Sequence, residues 1–160
     1  MASDRIYAWV FVVESGTTIH VAEEIKRELG FEGTNLYGIY DAVVLTDALT
    51  LQELKTKVWK IGNLPAVATT VTFVVMGREH KETKEKPTAY ILTDTTPKLD
   101  ETIQEKVSRI EQVTKCDIVL GPNNMVIEVV TKSEEDLKEV LSKLLKIEGI
   151  VKTSTMPCFC

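Results

Sequence analysis

The fold is decided by one short stretch, Leu36-Tyr37-Gly38-Ile39-Tyr40-Asp41-Ala42-Val43-Val44-Leu45-Thr46. Apolar and β-branched residues lie on both sides of Gly38 and Asp41, and these two are residue types that form turns. The stretch therefore predicts two strands that meet at a tight connection.

A second stretch repeats this pattern 83 residues further along, Val119-Leu120-Gly121-Pro122-Asn123-Asn124-Met125-Val126-Ile127-Glu128. The offset places Gly38 on Gly121 and Asp41 on Asn124, and it continues without a gap to Thr70 and Thr153. Few aligned residues are identical, but the order of strand, turn, strand, helix and strand is the same. We interpret the chain as an internal duplication.

The first half predicts the order β-α-β-β-α-β. An apolar strand at residues 6–13 precedes a helix whose N-cap is predicted at Thr17 or Thr18 and whose end is predicted at Gly30. Residues 50–53 form a capping box that opens a second helix. The inner face of that helix is predicted to carry Leu51, Leu54, Val58 and Ile61.

The second half predicts the same order. Its elements are strands at residues 89–93, 117–120, 125–130 and 150–155, a helix starting at Thr96 and Pro97, and a helix capped by Ser133. Residues 156–160 are predicted to be a tail. The predicted fold class is therefore α+β, with two tandem ferredoxin-like βαββαβ modules in residues 1–76 and 88–160.

Residues 77–87 contain no apolar side chain except the closing proline, and their charges alternate in sign. A segment of this composition cannot bury itself, so it is predicted to be a solvated, charged linker between the modules.

Charge and composition limit the classes of function. The net charge of −5 argues against direct binding of nucleic acid, which favours basic surfaces. No apolar run reaches the roughly 20 residues of a membrane span, and the first residues lack the form of a signal peptide. Three cysteines without framework spacing fit a reduced compartment. We expect a soluble, cytoplasmic protein.

The turn residues 38–41, the Thr-capped helix and residues 64–70 together resemble the effector-binding domain of the Lrp/AsnC family, also called the RAM domain. That family commonly has a glycine, a variable residue, an aromatic residue and an aspartate at this connection. The likeness covers nearly all of the first module and, more faintly, the second. It implies that the two modules pack sheet against sheet as a pseudo-dimer of the dimeric α+β barrel type.

Two features depart from the family pattern. Full regulators carry an N-terminal helix-turn-helix of roughly 50 residues, whereas only a few residues precede the first strand here. The second module keeps Gly121 but has Asn123 and Asn124 in place of the aromatic residue and the aspartate.

The resemblance also implies a ligand site near the glycine turn. Asp41 would hold an α-ammonium group, with backbone amides near Gly38 and the ring of Tyr40 around it, and Gly121, Asn123 and Asn124 would form a neutral counterpart. The alternative is that glycine and aspartate simply make the turn. The threonines of the last strand in each module could also face a ligand, although threonine is ordinary on a half-exposed strand.

Other chemistry has less support. The only histidines, His20 and His80, are far apart in sequence and predict no metal site, and Cys158 and Cys160 alone are a weak soft-metal candidate. Trp9 and Trp59 are explained by burial in a core or an interface. No catalytic triad or phosphate loop is present, so we predict no catalytic residues and no cofactor.

The sequence therefore predicts a stand-alone sensing or regulatory protein that binds a small molecule, by resemblance an amino acid, and has no DNA-binding domain of its own. It would act through an Lrp-type regulator or by self-association. One alternative is a structural interaction module without a ligand, and another is a small enzyme of the dimeric α+β barrel type.

Overall fold

The computed structural model describes residues 4–16, 20–96 and 98–159. The chain divides into two compact units. Unit one contains the chain up to Val75 together with Cys158 and Phe159, and unit two contains Met76 to Pro157.

The first six elements are β1 (Ile6–Glu14), α1 (Val21–Leu29), β2 (Gly33–Leu36), β3 (Ala42–Ala48), α2 (Leu51–Gly62) and β4 (Val67–Gly77). In unit one, β1 pairs antiparallel with both β3 and β4, and β3 pairs antiparallel with β2. The strand order is therefore β4-β1-β3-β2.

The remaining elements are β5 (Ala89–Thr95), α3 (Asp100–Ser108), β6 (Val113–Leu120), β7 (Met125–Val129), α4 (Glu134–Leu145) and β8 (Ile150–Phe159). In unit two, β5 pairs antiparallel with β7 and β8, and β7 pairs with β6. The order β8-β5-β7-β6 repeats that of unit one. The predicted ferredoxin-like α+β fold is confirmed.

Helices cover one face of each sheet. Alternate residues of β1, such as Val10 and Val12, pack with Ile25 of α1 and Ile61 of α2 in one core cluster. In unit two, alternate residues of β5 and β7 pack in the same way with α3 and α4, including Ile91, Ile103, Ile127 and Leu144. Strand alternation and helix periodicity therefore place the core where the sequence predicts it.

The starts of α2 and α4 agree with the capping box predicted at residues 50–53 and with the cap predicted at Ser133. The hydroxyl of Thr50 accepts a hydrogen bond from the backbone N–H of Glu53 at 3.0 Å, and that of Ser133 accepts one from Asp136 at 3.1 Å. Gly30 ends α1 in a left-handed conformation with a φ of 75°, as predicted.

The predicted start of α1 is wrong. Thr17 and Thr18 lie outside the described residues, and the helix begins at Val21 with His20 as an N-cap whose side chain makes no capping bond. The cap comes instead from β2, where Oδ1 of the buried Asn35 accepts a hydrogen bond from the Ala22 N–H at 3.0 Å. This tertiary contact replaces a local N-cap.

Two helix predictions also need correction. Helix α3 starts at Asp100 rather than near Thr96, and Pro97 lies outside the described residues. The predicted inner-face position of Leu51 is wrong, because Leu51 is the first residue of α2 and is 67% exposed.

The segment 77–87 is not solvated along its whole length. The backbone carbonyl of Glu79 accepts a hydrogen bond from Cys116, the N–H of Lys81 donates to Thr114, and His80 forms an isolated bridge with Lys115. Backbone pairing with β6 therefore orders residues 79–81 despite their polar side chains.

The predicted tail is also wrong. Strand β8 continues to Phe159, and its last residues pair antiparallel with β2, with Cys158 opposite Leu36 and Phe159 opposite Asn35. Cys160 lies outside the described residues. Among the helices that the structure describes, none has the length and apolar character needed to cross a membrane.

Candidate functional site

The turn between β2 and β3 is fixed by backbone hydrogen bonds at Asp41. The N–H of Leu36 donates to the carbonyl of Asp41 at 2.8 Å, and the N–H of Asp41 donates to the carbonyl of Val12 on β1 at 2.8 Å. Gly38 has a φ of 147°, which residues with a side chain rarely adopt. The predicted glycine and aspartate do make this turn.

The side chain of Asp41 reaches the end of β1. Its Oδ2 atom accepts a hydrogen bond from the backbone N–H of Glu14 at 2.8 Å, where the register of β1 against β4 shifts between Val13 and Glu14. The irregular strand end therefore presents an amide to the carboxylate.

Two acidic side chains influence each other at this point. Partial burial raises the pKa of Glu14, the Asp41 carboxylate raises that pKa further, and His20 lowers it. Like-charge repulsion between neighbouring carboxylates disfavours the doubly ionised state, and a bound cation relieves it. The turn therefore offers an anionic site for a positively charged group.

Aromatic rings form two separate groups of contacts in unit one. The rings of Tyr37 and Phe159 stack with centroids 4.2 Å apart, and His20 lies 5.8 Å from Phe159. Tyr37 is 60% exposed, so a face of this pair is open to solvent. Tyr40 is half-buried 5.1 Å from Phe11, and burial raises the pKa of its hydroxyl.

The corresponding turn of unit two repeats the hydrogen bonds at Asn124. The N–H of Val119 donates to the carbonyl of Asn124 at 2.9 Å, and the N–H of Asn124 donates to the carbonyl of Thr93 at 3.0 Å. The Oδ1 atom of Asn124 accepts a hydrogen bond from the N–H of Thr95 at 2.9 Å. A second irregularity, between Asp94 and Thr95, lies at the end of β5. Asn124 is thus the structural counterpart of Asp41.

The charges at the two turns differ. Thr95 and Asn124 take the places of Glu14 and Asp41, so the pair of carboxylates is present only in unit one. The carboxylate near the second turn is Asp94, and its Oδ1 accepts a hydrogen bond from the side-chain amide of Asn123 at 2.8 Å. Gly121 lies exposed in that turn.

The sequence patterns predict Gly38, Tyr40 and Asp41 as site residues but do not predict Glu14 or Phe159. In the sequence, Glu14 belongs only to the break after β1, and Phe159 belongs to the predicted tail. The antiparallel register brings Glu14 to Asp41, and the pairing of β8 with β2 brings Phe159 near Tyr37. Neither contact is local in sequence.

A separate polar cluster lies on the sheet face of unit two that is opposite its helices. The Glu128 carboxylate is 3% exposed and accepts hydrogen bonds from the hydroxyls of Tyr90 at 2.6 Å and Thr114 at 2.9 Å and from Nζ of Lys115 at 2.8 Å. Buried Asp117 lies 2.8 Å from Nε2 of His80. These contacts satisfy buried charges and give the cluster a structural role.

Within the described residues, no group of three or more His, Cys, Asp or Glu side chains is placed to hold a metal ion. His20 and His80 lie in different units. Cys158 is held in β8 opposite Leu36, and Cys116 is buried in unit two, where burial raises the pKa of its thiol.

Comparisons with known proteins bear mainly on unit two. A family model described as the Lrp/AsnC ligand binding domain matches residues 88–159. This match confirms the resemblance, and it falls in the module for which the sequence suggested the fainter likeness. The comparison with curated proteins found no match.

Several solved structures are similar. A mutant chlorite dismutase from Candidatus Nitrospira defluvii is 11% identical with a TM-score of 0.63, covering 100% of this chain and 92% of that chain. A putative monooxygenase from Fusobacterium nucleatum is 12% identical with a TM-score of 0.53, covering 96% and 90%. At these identities the likeness shows the α+β fold alone.

A hypothetical protein from Pyrococcus horikoshii is 28% identical, with a TM-score of 0.44 over 47% of this chain and 92% of that chain. The family whose model matches residues 88–159 is the one that the turn sequences of this chain resemble.

Proposed function

We propose that this protein is a tandem pair of Lrp/AsnC-type modules that senses an amino acid, or a similar small primary amine, at the turn of unit one. The observation that carries this proposal is the position of Asp41, whose Oδ2 accepts a hydrogen bond from the backbone N–H of Glu14 at 2.8 Å. Burial raises the pKa of Glu14, and the Asp41 carboxylate raises it further. An α-ammonium group placed at this pair would relieve the repulsion and form charge-assisted hydrogen bonds.

The other parts of the site suit the rest of such a ligand. The exposed stack of Tyr37 and Phe159 offers an apolar surface to a side chain. Backbone amides of the turn around Gly38 are donors for the carboxylate. Because unit two has Thr95 and Asn124 at the corresponding positions, we expect it to bind an ammonium ligand weakly or not at all.

The match of residues 88–159 to a ligand-binding domain supports a ligand-binding regulatory role. We propose that ligand binding at unit one changes how the protein associates with an Lrp-type regulator or with itself. The structural likeness to chlorite dismutase and to a putative monooxygenase concerns the fold, and the site described above contains no arrangement of nucleophile and base.

A thermal-shift screen against the twenty amino acids tests the proposal. A ligand at 100 times its dissociation constant adds about 2.7 kcal/mol to the free energy of unfolding, so it raises the melting temperature visibly. Asp41→Asn is the informative variant, because asparagine at the equivalent position 124 keeps the same backbone hydrogen bond. We expect Asp41→Asn to weaken binding at least about tenfold, as the loss of a charge-assisted contact predicts.

Glu148→Gln is the matched control, since it removes the same charge from an exposed residue of unit two. It should leave the dissociation constant unchanged. A folded protein that shows no shift with any of the twenty amino acids, or a hit that survives unchanged in Asp41→Asn, would contradict the proposal.

A further inference from the structure

An apolar groove lies along α2 in unit one, away from the turn. Its volume is ≈ 440 Å³, and its walls are Leu51, Leu54, Lys55, Val58, Trp59 and Thr72. Leu51 is 67% exposed and Trp59 is 65% exposed. A groove of this size is within the range of roughly 300–1,000 Å³ that holds small ligands or a few anchoring side chains.

The fold does not require these exposed apolar residues, because α4 provides an internal comparison. The two helices begin at equivalent caps, Thr50 and Ser133, and have the same length of 12 residues. At the positions of Leu51 and Trp59, α4 has Glu134 and Ser142. The same helix therefore forms with polar residues at both places.

The charges of the two helices differ in a related way. In α4, Lys138 lies 3.6 Å from Glu135 and 4.0 Å from Glu134, and Lys143 lies 3.1 Å from Glu139. The equivalent lysines of α2 are Lys55 and Lys60, whereas the residues equivalent to those three glutamates are Leu51, Gln52 and Thr56.

As a result, Lys55 in the groove wall and Lys60, which follows Trp59 in the helix, lack the neutralising partners that the equivalent lysines have in α4. Among the residues that the structure describes, no carboxylate forms an ion pair with Lys55 or Lys60. On a protein of net charge −5, α2 thus combines an exposed tryptophan with two uncompensated positive charges. Exposed apolar patches rimmed by polar groups are typical of protein interaction sites.

We propose that the α2 groove docks an acidic amphipathic segment of another protein. Apolar anchors of that segment cover Trp59 and Leu51, and its carboxylates pair with Lys55 and Lys60. Tryptophan commonly contributes a large share of the binding energy at such sites, while the flanking charges set the sign of the partner.

Selection from a random 16-residue peptide library on the immobilised full-length protein tests this inference. We expect the enriched peptides to combine acidic residues with apolar anchors at helical spacing. The variant Leu51→Glu/Trp59→Ser carries the residues of α4, which forms the equivalent helix with them, and it should bind the selected peptides at least about tenfold more weakly. The matched control Glu134→Gln/Ser142→Ala changes the equivalent positions of α4 without adding a large apolar side chain, and it should leave their affinity unchanged.

The role of charge is tested separately with Lys55→Glu/Lys60→Glu, which should bind the acidic peptides more weakly than the wild-type protein does. Binding of the same peptides to the wild-type protein should also weaken as the salt concentration is raised. Three results would each overturn the proposal: no enrichment, enrichment of basic or uncharged peptides, or equal binding to the Leu51→Glu/Trp59→Ser variant. A wild-type dimer that the same variant converts to a monomer would show that a second copy occupies the groove, and that result would also overturn it.

Discussion

Asp41 and Asn124 make the same backbone hydrogen bonds but differ by one charge. Each accepts a bond from the N–H of a residue at an irregular strand end, at 2.8 Å for Glu14 and 2.9 Å for Thr95. The turn therefore needs a side-chain oxygen at this position, and it does not need a carboxylate. The charges of Asp41 and Glu14 are therefore not needed to form the turn.

The pKa of Glu14 gives a pH-dependent prediction at the residue scale. Because burial and Asp41 raise this pKa in the folded state, the folded protein holds the proton to higher pH than the unfolded chain. The contribution of Glu14 to the free energy of unfolding is thus full below the unfolded pKa and is lost as pH rises through the folded pKa. Glu14→Gln should remove this decline in denaturant unfolding measured across that pH range.

Addition of an ammonium ligand should shift the same titration. A cation beside Glu14 favours its ionised form, so the pKa of Glu14, followed by carboxyl carbon NMR, should fall when the ligand is present. An unchanged titration in the presence of saturating ligand would place the ligand elsewhere.

Gly149 provides a second residue-scale prediction. Its φ is +100°, and a Cβ atom there would lie 2.7 Å from Cδ1 of Ile103. We expect Gly149→Ala to lower the free energy of unfolding by about 1–3 kcal/mol through backbone strain and crowding. The control Gly62→Ala, in α2 with nothing within 4 Å of the added Cβ, should raise that free energy by about 0.5–1 kcal/mol. Equal effects in urea unfolding would refute the argument.

At the scale of elements, local sequence predicts helix ends only where the cap itself is local. The caps of α2 and α4 lie within the residues 50–53 and 133–136, and both are confirmed. The start of α1 was predicted wrongly because its cap, Asn35, lies on the following strand. The exposed position of Leu51 was missed because an apolar residue in the first turn fits the helical period without facing the core.

The contribution of the buried Glu128 cluster in the sheet of unit two to folding stability can be tested by removing its lysine. Lys115→Met removes the cation from the buried Glu128 carboxylate and leaves the hydroxyls of Tyr90 and Thr114 as its remaining partners. We expect a loss of about 1–3 kcal/mol in the free energy of unfolding. Lys138→Met, which affects only pairs among exposed side chains, should cost about 0.5 kcal/mol or less. Chemical denaturation of the two variants measures the difference, and similar losses would argue against a structural role for the Glu128 cluster.

At the scale of the whole molecule, duplication made the fold predictable. The 83-residue offset relates α2 to α4 and β3 to β7, so the element order found in one half supported the same order in the other. The candidate site was only partly predictable. Gly38, Tyr40 and Asp41 lie in one stretch, whereas Glu14 and Phe159 reach the site through strand register and through pairing of the last strand.

The two units also differ at equivalent positions, and the proposed function rests on these differences. The two turns share their hydrogen bonds and differ in charge, and the two corresponding helices share their caps and differ in exposed apolar residues. One copy can therefore preserve the fold at a given position while the other carries a binding feature there. Variants that exchange residues between equivalent positions are for this reason the most informative ones.

The stoichiometry of ligand binding, measured by calorimetric titration of an amino acid identified in the thermal-shift screen, tests the proposed site most directly. We expect one molecule bound per chain, with heat that is lost in Asp41→Asn and retained in Glu148→Gln. Two equivalent molecules per chain, or one molecule whose binding is indifferent to Asp41→Asn, would contradict a site built on the carboxylates of unit one.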